Sequence, residues 1–144
     1  MNTTNTRRRE RGAALVEAAI TVPIILLISV GIFEFGRAYQ TWQVLTNAAR
    51  EGARLAVING STDADVTTRV RNYMTAGQLS NAATAGVTIN RAVALTGSDT
   101  ASQITINYPF QFMVLNPVIR LITPSSTTGT PITMQSSALM RNES

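Results

Sequence analysis

From Ala13 to Phe33 the chain runs for 21 residues that are nearly all apolar or small. Coiled into a helix, such a stretch spans about 30 Å, the thickness of a bilayer's hydrocarbon core. Arg7, Arg8, Arg9 and Arg11 precede it, with Glu10 among them. A dense positive cluster beside an apolar span stays on the cytoplasmic side. The reading is therefore a single-pass anchor with a cytoplasmic N-terminus and an extracytoplasmic head. Arg37, Arg50 and Arg54 lie beyond the span but do not flank it as densely. One residue inside the run disagrees with a plain anchor. Glu17 is a carboxylate near its start, and an acid placed in lipid asks for a partner.

Composition narrows what the rest can do. The chain has no cysteine and no histidine, and its 12 basic residues are all arginine. Disulfides, thiolate metal sites and thiol nucleophiles are thereby excluded. The net charge of +4 is not a nucleic-acid signature, because residues 13–144 hold 8 Arg against 7 Asp and Glu, a balance of +1. With the usual bases missing, no catalytic constellation is visible and neither a cofactor nor an enzyme is expected. Ser125 and Ser126 have nothing beside them to activate a hydroxyl. Asp63 and Asp65 form a weak candidate for a cation site, but helix-capping acids are the simpler reading.

Three kinds of segment compete for residues 1–33. A secretory signal has a shorter apolar core followed by a small-x-small cleavage site. Here the core is longer and ends in Phe33-Glu34-Phe35-Gly36-Arg37. A signal anchor accounts for the length and the charges but not for Glu17. The third is a prepilin-type leader, cut before the apolar run. It needs a short basic leader, a glycine, and a glutamate at the fifth residue past the cut, and Gly12, Ala13 and Glu17 stand at that spacing. Cleavage after Gly12 would leave a cationic amine on Ala13. Glu17 of an adjacent subunit could pair with that amine and set axial register. The alternative is a bond from Glu17 to its own helical N-terminus, where a carboxylate is favoured anyway. Pro23 removes one helix bond and reads as a kink, or as a weak point that lets the helix stretch on assembly; Thr21 and Ser29 are near enough to satisfy freed backbone groups.

The helix is predicted to continue past the membrane to about Ile58. Phe35, Tyr39, Trp42, Leu45, Ala49, Ala53 and Ala56 recur at three- and four-residue steps, as on one helical face. Tyr39 and Trp42 suit either a membrane-interface belt or core packing. Ala48, Gly52 and Ala56 make a small-residue face for a sheet or, second, for another helix. Glu51 and Arg54 are spaced as an i, i+3 pair. After a turn at Asn59-Gly60-Ser61, Thr62 or Asp63 caps a second helix over about Ala64–Ala76, with Val66, Val70, Tyr73 and Met74 on one side. Period-two segments follow at Val87–Leu95, at Ile104–Phe110 (broken at Pro109) and at Ile132–Met140, with a turn at Gly97-Ser98-Asp99. Met113–Ile122 fits a short helix, a surface or a further strand. Pro124–Pro131 reads as a loop. The fold class is α+β and pilin-like: one long N-terminal helix packed on a small antiparallel sheet of three or four strands, with a short second helix. Three parts result: a basic leader over residues 1–12, a membrane helix over 13–33 continuing amphipathically to about 58, and a head over 59–144.

Taken together, Arg11-Gly12-Ala13-Ala14-Leu15-Val16-Glu17, Val22-Pro23, Phe33-Glu34-Phe35-Gly36-Arg37-Ala38, the run Thr46–Arg54 and the tail Ser137–Glu143 resemble TadE-like proteins. These are pseudopilins, or minor pilins, of the Tad (type IVc pilus) machinery. The likeness is specific over residues 11–58 and looser in the head, where Tyr108-Pro109-Phe110 contributes. It implies processing by a prepilin peptidase at Gly12 and Ala13, an inner-membrane intermediate, and association with other Tad pilins and an assembly platform. It carries the processing role onto Gly12, Ala13 and Glu17 alone. One departure is Ala18, where many Tad pilins place tyrosine. The head exceeds that of short major pilins, which implies a minor or tip-associated subunit used in adhesion or secretion. The alternatives are a major pilin of a related filament and an anchored extracytoplasmic binding protein.

Overall fold

A computed structural model describes residues 3–95, 99–114, 116–117 and 131–142, with side chains from Gly12 onward. Helix α1 spans Thr3–Ala56, helix α2 spans Asp63–Ala76, and strands β1 (Gly86–Ala94), β2 (Thr100–Phe110) and β3 (Ile132–Arg141) follow. The strands form one antiparallel sheet in the order β1-β2-β3. The fold is therefore α+β, with a long N-terminal helix, a short second helix and a three-stranded sheet. Helix α1 begins ten residues before Ala13, because arginine is a good helix former and one glycine does not end a helix. At 1.5 Å per residue it is on the order of 80 Å long.

The core lies between the C-terminal third of α1, the inner face of the sheet and one side of α2. Leu45, Ala48, Ala49, Ala53 and Ala56 of α1 meet Val66, Val70 and Met74 of α2 and Ile104, Ile106, Tyr108 and Phe110 of β2. Small side chains on α1 allow this close approach. A Cβ on Gly52 would sit 2.5 Å from Val70 Cγ2, and one on Gly77 2.5 Å from Val44 Cγ1. The stripe Ala48–Gly52–Ala56 is thus the seat of the head. The outer sheet face is polar, with Gln103 Nε2 donating to Ser137 Oγ at 3.0 Å and Gln135 Nε2 to Asn107 Oδ1 at 3.2 Å.

Helix α2 opens with a capping box. Asp65 N–H donates to Thr62 Oγ1, while the Thr62 N–H and hydroxyl both donate to Asp65 Oδ2. Those two bonds, the hydroxyl's first, hold the Asp65 carboxyl below its ordinary value of 3.8. Asp63 pairs with Arg91 at 2.7 Å, so neither acid is arranged as a metal ligand. Arg91 Nη1 also donates to the Ala56 carbonyl at 2.6 Å, capping the C-terminal end of α1. Glu51 lies nearer to Arg69 of α2, at 3.1 Å, than to its expected partner Arg54, at 3.8 Å.

Three expectations are corrected. Strand β2 is not broken at Pro109, which pairs with Thr133 of β3. The β1–β2 pairing ends at Gly86 and Asn107, so the missing N–H falls where no strand needs it. The Pro109 carbonyl on that side accepts from Asn81 Nδ2 at 3.0 Å. The seven residues read as one face of α1 divide: Leu45, Ala49, Ala53 and Ala56 are buried, whereas Phe35, Tyr39 and Trp42 are exposed. The head instead covers the adjoining line through Glu34, Thr41, Leu45 and Ala48. Tyr73 is likewise exposed, on the outer side of α2. The turn at Gly97-Ser98, the loop Pro124–Thr130 and most of Met113–Ile122 lie outside the described residues.

Candidate functional site: the membrane helix and its junction with the head

Helix α1 is long and apolar enough to cross a membrane, and the head covers none of that portion. Every residue from Gly12 to Ser29 is exposed. An unburied run of Leu15, Ile20, Ile24, Leu26 and Leu27 cannot lie in water without a large free-energy cost, so lipid or another apolar surface must cover it.

The residues singled out in the sequence fall along this helix. Gly12 and Ala13 sit within α1, with open space where a Gly12 side chain would be. Glu17, just over a turn further on, is exposed and has no hydrogen-bond or ion-pair partner among the described residues. Because α1 continues back to Thr3, Ala13 is not a helix end in the intact chain, and Glu17 has no local terminus to pair with. Pro23 leaves the backbone helical on both sides. The expected rescue by Ser29 is not seen, since its hydroxyl donates to the Ile25 carbonyl at 2.8 Å. The carbonyl that loses its partner to Pro23 is that of Ala19, six residues before the one that Ser29 reaches.

At the exit from the apolar segment stands a junction that reasoning from sequence missed. Glu34 is 0% exposed. Its carboxylate takes Arg37 Nη1 at 3.1 Å and the backbone N–H of Val114 at 2.5 Å. Arg37 Nη2 donates to the Gln111 carbonyl at 2.9 Å, and its guanidinium lies 5.2 Å from the centre of the Phe110 ring. Phe112 packs edge-on against Phe110, with ring centres 5.3 Å apart. One ion pair thus ties the segment after β2 to the helix just beyond its apolar run. The signal was present as the i, i+3 spacing of Glu34 and Arg37, but only the fold reveals the backbone groups 80 residues away that complete it. A cleft of about 530 Å³ opens beside the junction, lined in part by Arg37, Ser80, Asn81, Gln111 and Met113. Its lining brings together no nucleophile and base, and no cluster of metal-ligating side chains occurs among the described residues.

A lipid-length helix carrying an unpaired acid, continuous with a stalk that seats a small antiparallel sheet, has a pilin-like layout, and its apolar length suggests a single-pass membrane anchor. The family described as TadE-like protein matches the chain over residues 12–54, all within α1. No curated protein matches the chain, and no solved structure does.

Proposed function

We propose that the chain is a TadE-like pseudopilin or minor pilin, a structural subunit for assembly of a type IVc pilus. The observation that carries this is Glu17: an exposed, partnerless carboxylate on a lipid-length helix, five residues past Gly12 in a segment matching the TadE-like family. A prepilin peptidase at the cytoplasmic surface removes residues 1–12. The new amine of Ala13 is cationic near neutral pH. In a bundle of such helices, Glu17 of one subunit meets the amine of its neighbour. Both charges are then neutralised in an apolar setting where either alone is costly, and the pairing fixes axial register. The helix is held in the bilayer before assembly and moves into the bundle with the head outside.

N-terminal sequencing of the chain from a membrane fraction tests the reading. Ala13 as the first residue supports it. An intact Met1 or Asn2 overturns it and leaves a tethered extracytoplasmic module.

A further inference from the structure

We propose that the membrane surface on the head's side crosses α1 at Tyr39–Trp42 rather than at Phe33, so that an aromatic stripe seats the head in the phospholipid headgroup layer. This rests on reading α1 as membrane-anchored. Phe35, Tyr39 and Trp42 are 72%, 61% and 48% exposed. Their i, i+4, i+7 spacing puts them on one side of the helix. They continue the exposed apolar surface of Ile28 and Ile32 without a polar break on that side. Sequence alone ends the span at Phe33 because Glu34 and Arg37 follow. Those two are the only charged residues between Glu17 and Arg50. They do not face the surroundings of the stripe, because each is spent on the other and on the backbone at Gln111 and Val114.

The lengths agree with this placement. A headgroup layer is about 5–7 Å thick on each side of a hydrocarbon core of about 30 Å. With the hydrocarbon edge at Phe35, the Tyr39 backbone lies about 6 Å further out, within the layer, and that of Trp42 about 10 Å, just beyond it, from where a helical side chain leans back toward the N-terminus and so toward the layer. Twenty residues back from Phe35, roughly one core thickness, is Leu15, which puts Glu17 within about 3 Å of the opposite edge. Tyr and Trp suit such a layer, being apolar rings with one polar atom each. The two rings lie 6.4 Å apart, and the Tyr39 hydroxyl accepts from Gln43 Nε2 at 2.7 Å, on the watery side.

Trp42 is the only tryptophan in the chain, so its fluorescence reports this position directly. The full chain is reconstituted into phosphatidylcholine vesicles, and resistance to alkaline carbonate extraction establishes the anchor. Trp42 emission is then measured with lipids spin-labelled at the headgroup, with lipids labelled in mid-chain, and with aqueous iodide. The expected result is strong loss of emission with the headgroup label, little with the mid-chain label, and weaker iodide quenching than for free tryptophan amide. Full iodide quenching with neither lipid label effective overturns the inference. So does shielding from all three that grows with protein-to-lipid ratio, which places a second copy on the stripe. Protein that carbonate removes overturns the anchor itself, a separate failure. Phe35→Trp in a Trp42→Phe background shifts quenching toward the mid-chain label; an unchanged depth contradicts the placement.

Discussion

At Gly52 a side chain is absent because the space is already filled. A methyl there meets Val70 Cγ2 at 2.5 Å, and Val70, buried and β-branched, has no room to turn away. Gly52→Ala therefore sets about 1–3 kcal/mol of overpacking against about 1 kcal/mol of improved helix propensity. The net effect is destabilising, and Val70→Ala in the same chain relieves the clash part; denaturant midpoints of the two variants measure both. The capping box of α2 is a second residue-scale device. Asp65 titrates lower folded than unfolded because Thr62 donates to its charged form. Its contribution is complete above about pH 4 and is lost as pH falls through the folded value. Asp65→Asn flattens that acid limb, while Thr62→Ala lowers stability by about 1 kcal/mol at neutral pH. Unfolding curves from neutral pH down into the acid range separate the two.

Beside the pairing of Glu51 with Arg69, two ion pairs help to hold the elements in place. Glu34 and Arg37 fasten the segment after β2 to α1, and Arg91 closes the C-terminal end of α1 from β1. Glu34→Ala leaves Arg37 without its counter-charge and the Val114 N–H without an acceptor. The cost is on the order of 2–3 kcal/mol, below the ~3–5 of a fully buried pair because Arg37 stays partly exposed. Hydrogen exchange at Val114 reads the change as lost protection, with β2 and β3 still protected if the damage is local. A cap on α2 at Thr62 or Asp63 was legible in the sequence, because a cap and its partners lie within one turn. Completion of the Glu34 site was not, because the Val114 N–H and the Gln111 carbonyl come from chain that only folding brings near.

For the whole molecule, the division of labour runs along α1: a bare apolar half, a junction, and a half buried under the head. The assembly reading places its demand on Glu17 alone. Glu17→Ala leaves membrane insertion intact or improves it, since a charge is removed from the apolar segment, and impairs filament assembly. Membrane fractionation and pilus yield, measured together, check this; equal yield from both chains contradicts the proposed pairing. The lipid-facing and head-facing sides of α1 also explain why one three-and-four pattern was read where two exist. Aromatic and small apolar residues share that spacing, but the head needs the small ones and leaves the aromatic ones outside.

The linear chain by itself determined what local chemistry dictates: a span of lipid length with a basic flank, an acid five residues past Gly12, a helix that outruns the membrane, a capped second helix and strands of alternating apolar residues. These depend on spacing within a few turns or a few strand positions, so order along the chain suffices to state them. Only tertiary structure decided which side of α1 the sheet covers, that Pro109 sits within a strand where the neighbouring pairing has already ended, and that Glu34 is buried rather than bathed in water. Each depends on groups tens of residues apart meeting in space, and a carboxylate's environment is set by those neighbours, not by its place in the sequence.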